Sequence, residues 1–144
     1  MPRYPDPPDD GRPTKEELTI LRLLWEHGPG TARDIRDTLA RAGHSRAVNT
    51  VGRLLSAMEA KGLLTLDTLR APRPRRYLAA MSQEQVQQQL VADFVNTAFD
   101  GLPAALVKAL LATPLSVDDL VDIRKAVRDR FERGDEGPSL EARG

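Results

Sequence analysis

The segment from Arg46 to Lys61 constrains the fold of this 144-residue chain most, because its apolar and polar residues fall on opposite faces at helical spacing. The apolar residues are Val48, Val51, Leu54, Leu55 and Met58. The polar residues, at i, i+3, i+4 and i+7, are Arg46, Asn49, Thr50 and Arg53. A helix with this pattern buries one face in a core and leaves the other for solvent or for a partner.

Two helices are predicted before this segment, each beginning with a capping box, in which a threonine and an acidic residue three positions later cap each other's backbone N–H. The pairs are Thr14 with Glu17 and Thr31 with Asp34. The run HGPG at 27–30 ends the first helix, and a tight break at 42–44 ends the second after about ten residues. Ser45 is predicted to cap the third helix.

A β-hairpin is predicted after the third helix. Gly62 ends the helix, after which residues 63–69 indicate one strand and residues 76–81 a second. The connecting run RAPRPR at 70–75 contains two prolines, which exclude a central strand, and three arginines. The hairpin therefore has a basic tip.

Three more helical patterns follow the hairpin, and Pro103 lies in the first turn of the middle one. The capping pairs of the other two are Ser82 with Gln85 and Ser116 with Asp119. Three short helices cannot enclose much core, yet their apolar faces are broad, so we expect them to interlock with a second copy in a homodimer. Packing against the N-terminal domain is the alternative. The predicted dimer contacts are Val86, Leu90, Phe94, Phe99, Leu106, Leu110, Ile123 and Val127.

These patterns divide the chain into four parts. Residues 1–13 are rich in proline and residues 134–144 are polar, so both are predicted to be disordered tails. Residues 14–81 form a small domain of three helices and a hairpin. Residues 82–133 form a helical dimerisation domain.

Composition excludes several classes of function. The chain has no cysteine and two histidines, so no disulfide, thiol nucleophile or metal site is expected, and His27 and His44 are interpreted as turn residues. No stretch approaches the roughly 18 apolar residues of a membrane span, and no signal sequence is present, so we expect a cytoplasmic protein without membrane contact. Without a cofactor motif or a convergent acid–base set, no catalytic residue and no cofactor is predicted.

Charge is unevenly distributed along a chain whose net charge is zero. Residues 1–81 hold 14 basic against 10 acidic residues, whereas residues 82–144 hold 7 against 11. From Arg41 to Tyr77, eight basic residues stand against two acidic ones. A positive region of this kind is expected of a protein that binds a polyanion, and a solvated surface is the alternative.

The order of helix, helix, break, amphipathic helix and basic hairpin is that of a winged helix-turn-helix. The predicted fold class is therefore mainly α with a small β wing, followed by the helical C-terminal domain. In that arrangement the third helix enters the major groove of DNA and the wing lies along the backbone. Arg53 suits guanine, Asn49 suits adenine, and Thr50 suits a thymine methyl group or a phosphate.

Other polar residues are predicted to contact phosphates. Arg46 suits a phosphate or a flanking base near the start of the third helix. Thr31, at the N-terminus of the second helix, can present backbone N–H groups to a phosphate, with Arg33 beside it. The predicted wing contacts are Arg70, Arg73, Arg75 and Arg76.

Gly52 stands inside the third helix, where glycine costs about 1 kcal/mol relative to alanine. Two interpretations are open. The missing side chain lets the helix backbone approach the DNA groove, or it allows close packing against another helix.

Three sequence runs between Thr14 and Met81 carry a family resemblance: LTILRLLWEHGPGTARDI, NTVGRLLSAMEAKGLL and RRYLAAMS. With the C-terminal runs ADFVNTAFDGLPAALVKALL and LSVDDLVDIRKAV, they resemble the penicillinase-repressor family of bacterial transcription regulators, the BlaI/MecI type with the CopY copper regulators as relatives. The resemblance implies a homodimer that binds an inverted-repeat operator, often with TACA/TGTA half-sites, and represses adjacent genes. In the family, many members are inactivated when a membrane sensor protease that detects a β-lactam triggers cleavage of the C-terminal domain.

The chain departs from the family at three places. Cleaved members carry an Asn–Phe pair in the second C-terminal helix, whereas the matching position here reads Lys108–Ala109. The copper branch uses a pair of Cys-x-Cys motifs, which this chain lacks. Arg46, Val48 and Asn49 stand where the family often has an aromatic residue and a lysine or threonine. These departures point to a different operator and leave a sensor protease without its usual target.

Three hypotheses follow from the sequence. The leading one is a dimeric, sequence-specific DNA-binding repressor, in which Arg53 reads bases and Arg73 adds affinity for any DNA. The alternative is a winged-helix protein–protein interaction module, which would show no salt-dependent binding to a duplex. An enzyme is the least supported, because no catalytic group is predicted.

Overall fold

A computed structural model describes residues 12–69 and 74–134. The elements of the described chain are α1 (Lys15–His27), α2 (Ala32–Arg41), α3 (Val48–Ala60), β1 (Leu64–Leu66), β2 (Tyr77–Ala79), α4 (Gln83–Ala98), α5 (Pro103–Leu111) and α6 (Val117–Gly134). The predicted winged-helix order is thus confirmed. Most of both predicted tails, residues 1–11 and 135–144, lies outside the described residues.

The chain clusters into two compact units, unit 1 (Met1–Asp93) and unit 2 (Phe94–Gly144). The predicted boundary between residues 81 and 82 therefore lies earlier than this division, which falls inside α4. The beginning of α4 belongs to unit 1, and its Val86 is buried there.

Capping boxes start four of the helices, as predicted. In each, the residue before the helix and the residue three positions later exchange two hydrogen bonds of 2.9–3.2 Å between backbone N–H and side-chain oxygen. The confirmed pairs are Thr14 with Glu17, Thr31 with Asp34, Ser82 with Gln85 and Ser116 with Asp119. The pattern succeeds because the exchange needs only residues three positions apart.

The core of unit 1 lies between the first three helices and the hairpin. From α3, Val51, Leu55 and Met58 are completely buried, so the predicted inner face is confirmed at these positions. Val48 and Leu54 are partly exposed. The other buried members of the core are Ile20, Leu21, Leu24, Ile35, Leu39, Leu63, Leu64 and Tyr77.

The predicted start of the third helix is wrong. Helix α3 begins at Val48, and its N-cap is Ala47, which provides no side-chain hydrogen bond, rather than Ser45. The cause is visible in Arg46, whose guanidinium bonds to the Ser45 carbonyl at 2.9 Å and to the Glu16 carboxylate of α1 at 2.8 Å. These contacts belong to a segment that is not helical, and the helix begins after it.

The hairpin is shorter than predicted, with three residues in each strand instead of the spans 63–69 and 76–81. The strands are antiparallel, with Leu64 opposite Ala79 and Leu66 opposite Tyr77. Strand β1 ends early because the Asp67 carboxylate accepts the Leu69 N–H at 3.1 Å, a local turn that competes with strand pairing. Residues 70–73 of the predicted tip lie outside the described residues.

Strand β2 also pairs with the turn between α1 and α2. Gly30 and Tyr77 exchange two backbone hydrogen bonds, of 3.1 and 2.8 Å. The indole N–H of Trp25 donates to the Met81 carbonyl at 2.9 Å. The wing is thereby attached to the helices by backbone and side-chain bonds as well as by apolar packing.

One buried ion pair joins α1 to the end of α3. Glu17 is 4% exposed, and its Oε1 accepts from Lys61 Nζ at 2.7 Å and from the Thr14 N–H at 2.9 Å. Lys61 also donates to the Arg12 carbonyl at 3.2 Å. A buried carboxylate is tolerated only when it is paired in this way.

Unit 2 contains the end of α4 together with α5 and α6. Phe94 and Phe99 meet edge to face, with ring centroids 5.5 Å apart, and Gly101 N–H bonds to the Val95 carbonyl at 2.9 Å. Neither α5 nor α6 has a buried residue.

Across the described ranges no single helix is long and apolar enough to cross a membrane. Helices α4 and α5 reach that length only together, and they are bent by 94° at the break between them.

The pair between Glu17 and Lys61 generates the first prediction. Lys61→Met should lower the free energy of unfolding by about 2–3 kcal/mol, because it leaves the Glu17 carboxylate buried without its cation. Urea denaturation of the full chain measures the change. Lys125→Met, at an exposed lysine of α6, is the matched control and should change stability by less than about 0.5 kcal/mol. Equal losses in the two variants would contradict the structural role of the pair.

Candidate nucleic-acid interface

Helix α3 presents a polar face opposite its buried one. Asn49 and Arg53 are exposed and Thr50 is partly exposed, so the three residues predicted to read bases share the outward side of the helix. Among the described contacts, Arg53 makes no ion pair or hydrogen bond within the chain. Its guanidinium is therefore available for two hydrogen bonds to one partner.

Arg46, the fourth residue of the predicted stripe, is placed differently. It lies in the segment before α3, and its Nε is 2.8 Å from Glu16 Oε2. To reach a phosphate or a base, this side chain would have to leave a carboxylate that already neutralises it. No local pattern indicates this pair, since the partners are 30 residues apart in the chain.

The N-terminus of α2 carries a carboxylate as well as the predicted residues. The Thr31 N–H, predicted to face a phosphate, donates to Asp34 Oδ2 at 3.0 Å. This hydrogen bond, helped by the Thr31 hydroxyl and by Arg76, lowers the pKa of Asp34 below its ordinary value, against the opposing effect of burial. The negative charge of Asp34 repels a phosphate at that point, while Arg33 next to it is exposed.

The wing arginines divide into two kinds. Arg76 Nη2 donates to the Pro29 carbonyl at 3.0 Å, and its other nitrogens lie 3.8 Å from Asp34 and 3.9 Å from Asp67. Its side chain is 26% exposed, and its buried Nε has no hydrogen bond. Arg75 is 57% exposed and lies 3.9 Å from Glu59, a weak contact. Arg70 and Arg73 lie outside the described residues.

The geometry of Arg76 is that of a residue that holds the wing against the first turn of α2. Three groups face it, from the turn before α2, from α2 itself and from the end of β1, and Tyr77 next to it makes the backbone bridge to Gly30. The sequence could not separate this arginine from its neighbours, because its partners are distant in the chain.

Gly52 has open space where a side chain would be. Among residues 12–69 and 74–134, and apart from its chain neighbours and the backbone of its own helix, no heavy atom lies within 4 Å of a Cβ built on Gly52. Close packing against another helix of this chain, the second interpretation of this glycine, therefore does not explain it. The first interpretation, close approach of the backbone to DNA, remains a prediction.

The predicted dimer contacts are distributed over both units. Val86 is 1% exposed within the chain itself, so little of its side chain is left for a second copy. Phe94, Leu110 and Val127 are about half exposed. The partly buried members of the predicted set are Leu90, Phe99, Leu106 and Ile123.

No group of three or more potential metal ligands occurs within residues 12–69 and 74–134. His27 is the last residue of α1, and His44 lies in the segment between α2 and α3. Both side chains are exposed. Their interpretation as residues near turns agrees with these positions.

The clamp formed by Arg76 generates the second prediction. Arg76→Gln should lower the free energy of unfolding by about 1 kcal/mol and speed amide exchange at Tyr77, whose N–H bonds to Gly30. Arg75→Gln, the neighbouring and more exposed arginine, should change neither quantity measurably. Hydrogen exchange followed by NMR measures the exchange rate of the Tyr77 amide in each variant. Equal exchange rates at Tyr77 in both variants would show that Arg76 does not hold the wing.

Comparison with known families supports the resemblance seen in the sequence. The family model described as penicillinase repressor matches residues 13–129, which includes all three helices and the hairpin of the winged helix as well as α4 and α5 and most of α6. A search of curated proteins gives no match. Since the family match spans most of the chain, this protein belongs to the penicillinase repressor family, a family of transcriptional regulators.

Proposed function

We propose that the protein is a dimeric transcriptional repressor that binds an inverted-repeat DNA operator through α3 and the wing. The observation that carries the proposal is the exposed pair Asn49 and Arg53 on a helix whose opposite face is completely buried. Family membership supports a repressor, and the fixed orientation of α3 supports sequence-specific binding to DNA.

The two side chains suit base reading by their spacing and their chemistry. Four residues apart, they lie about 6 Å apart along the helix axis, close to two base-pair steps. Arg53 can donate two hydrogen bonds to guanine, and Asn49 can pair with adenine through one donor and one acceptor. Each such contact discriminates by about 1–3 kcal/mol. Thr50 lies between them and suits a thymine methyl group or a phosphate.

Phosphate contacts are proposed for the exposed arginines beside this face. Arg33 and Arg75 are exposed, and Arg70 and Arg73 follow β1 in sequence. Arg46 would contact DNA only after releasing Glu16, and Arg76 is proposed to position the wing instead. Contacts of this kind add affinity for any sequence and weaken with salt.

A second copy is proposed to cover the apolar side chains of unit 2. The exposed large apolar residues of α5 and α6 are Val107, Leu110, Leu111, Val117, Leu120, Val121, Val127 and Phe131. So many apolar side chains on two helices of this length exceed what a soluble monomer normally exposes. A two-fold dimer would place two copies of α3 for the two halves of an inverted repeat. Val86 is left out of the proposed interface.

The proposed repressor acts in the cytoplasm, where bacterial DNA lies. Cleavage by a sensor protease is not part of the proposal, because Lys108 and Ala109 stand in α5 where cleaved members have Asn–Phe. We therefore expect the inducing signal to act on another part of the molecule.

The base-reading role of Arg53 is the third prediction. An operator is selected from a pool of random duplexes, and its affinity is compared with that of a scrambled duplex by fluorescence anisotropy at two salt concentrations. Arg53→Ala should reduce the preference for the operator at least about 30-fold, since one contact is lost in each half-site. Arg75→Ala should weaken both duplexes equally and lower the salt dependence, as expected of a phosphate contact.

Two results would contradict this assignment. Equal losses on operator and scrambled duplex for Arg53→Ala would remove it from base reading. Absence of salt-dependent binding to any duplex would overturn the DNA-binding function and favour a winged-helix protein–protein interaction module.

The dimer is the fourth prediction. Val127→Asp places a charge on the apolar side of α6, and the variant should have a mass near 15.9 kDa by light scattering where the unaltered chain has twice that mass. Ala126→Asp places the same side chain beside Asp122 and Asp129, where repulsion between like charges costs the helix only about 0.2–0.5 kcal/mol per pair, and this variant should remain dimeric. A dimeric Val127→Asp variant would contradict the proposed interface.

A further inference from the structure

A pocket of about 450 Å³ lies in unit 1 between α1 and the segment that leads into α3. This volume is within the range of small-molecule sites, about 300–1,000 Å³. One wall is a single face of α1, because its residues there follow helical spacing. The lining residues are Lys15, Glu16, Leu18, Thr19, Arg22, Leu39, His44 and Arg46.

The lining combines apolar surface with positive charge. Leu18 and Leu39 provide apolar surface, and the stems of the long basic side chains add more. Lys15, Arg22 and Arg46 are cationic, against one carboxylate among the lining residues. A ligand that satisfies both features is a small organic anion with an apolar body, such as an aromatic or aliphatic carboxylate.

The pocket is connected to α3 through Arg46. This guanidinium bonds Glu16 at 2.8 Å, and Glu16 also lines the pocket. Arg46 lies two residues before α3, whose N-terminus has no side-chain cap. The start of α3 therefore depends on contacts of the preceding segment more than on its own capping.

We propose that this pocket binds a small organic anion with an apolar body, and that the anion replaces Glu16 as the partner of Arg46. The segment 44–47 then changes its contacts at the point where α3 begins, which alters how Asn49 and Arg53 are presented. The binding step is independent of the proposed function, whereas the effect on DNA rests on it.

The binding step is tested without DNA. The ¹⁵N-labelled full chain is titrated with naphthalene-2-sulfonate, and with 2-naphthol as an uncharged probe with the same rings. We expect saturable shifts at the amides of Leu18, Leu39 and His44 and at Arg46 Nε. The uncharged 2-naphthol should bind at least about fivefold more weakly than the sulfonate. Lys15→Gln should weaken binding of the sulfonate about fivefold, and Lys125→Gln, the same substitution outside the pocket, should leave it unchanged.

Three results would overturn the site. These are shifts confined to residues outside the pocket, equal affinity for the charged and uncharged probes, and an unchanged affinity in Lys15→Gln. Since the exposed Lys15 occupies the first turn of α1 and no described hydrogen bond or ion pair involves its side chain, the variant is expected to fold.

The effect on DNA is tested separately with the selected operator. Saturating naphthalene-2-sulfonate should change the affinity for the operator at least about fivefold in the unaltered chain, and Lys15→Gln should need about fivefold more of the sulfonate for the same change. An unchanged operator affinity with the pocket saturated would overturn the coupling alone. A chain that binds no duplex but still binds the probe would overturn the proposed function and leave the pocket in place.

Discussion

The burial of one face of α3 is the constraint on which the rest of the structure depends. Val51, Leu55 and Met58 are each completely buried, so the helix cannot rotate about its axis without exposing a large apolar side chain. The opposite face is therefore directed outward by packing alone. Asn49 and Arg53 need no ordering contacts of their own, which leaves their polar groups free for a partner.

The acidic residues of unit 1 separate its arginines into those that hold the fold and those that are free. Glu16 binds Arg46, and Asp34 and Asp67 face Arg76. Arg33 and Arg53 are exposed without a described partner in the chain. A count of basic residues along the sequence overstates the positive charge of the surface, because part of that charge is neutralised within the chain. Glu16 of α1 neutralises Arg46 before α3, and Asp34 of α2 faces Arg76 of the wing.

The sequence predicts best what depends on residues close together. Capping boxes join residues three positions apart, and all four predicted pairs are present. Ser45 fails as a cap because Arg46 next to it is held by Glu16, far earlier in the chain. The contact of Arg76 with Pro29 and the ion pair of Glu17 with Lys61 also join residues far apart in the chain, so no local pattern indicates them, although the capping role of Glu17 is local. The buried face of α3 is predicted correctly because helical spacing alone determines it.

Gly52 is a position at which the outward surface of α3 can change without a clash with the core. It lies three residues after Asn49, and no described atom of the chain occupies the space that a Cβ would fill. A Cβ introduced there meets no atom of the described core, and every residue except proline has a higher helix propensity than glycine. A longer polar side chain at this position would extend the outward surface of α3 while the buried face stays unaltered. The outward surface of α3 can therefore change through single substitutions at this position while the buried face keeps its packing.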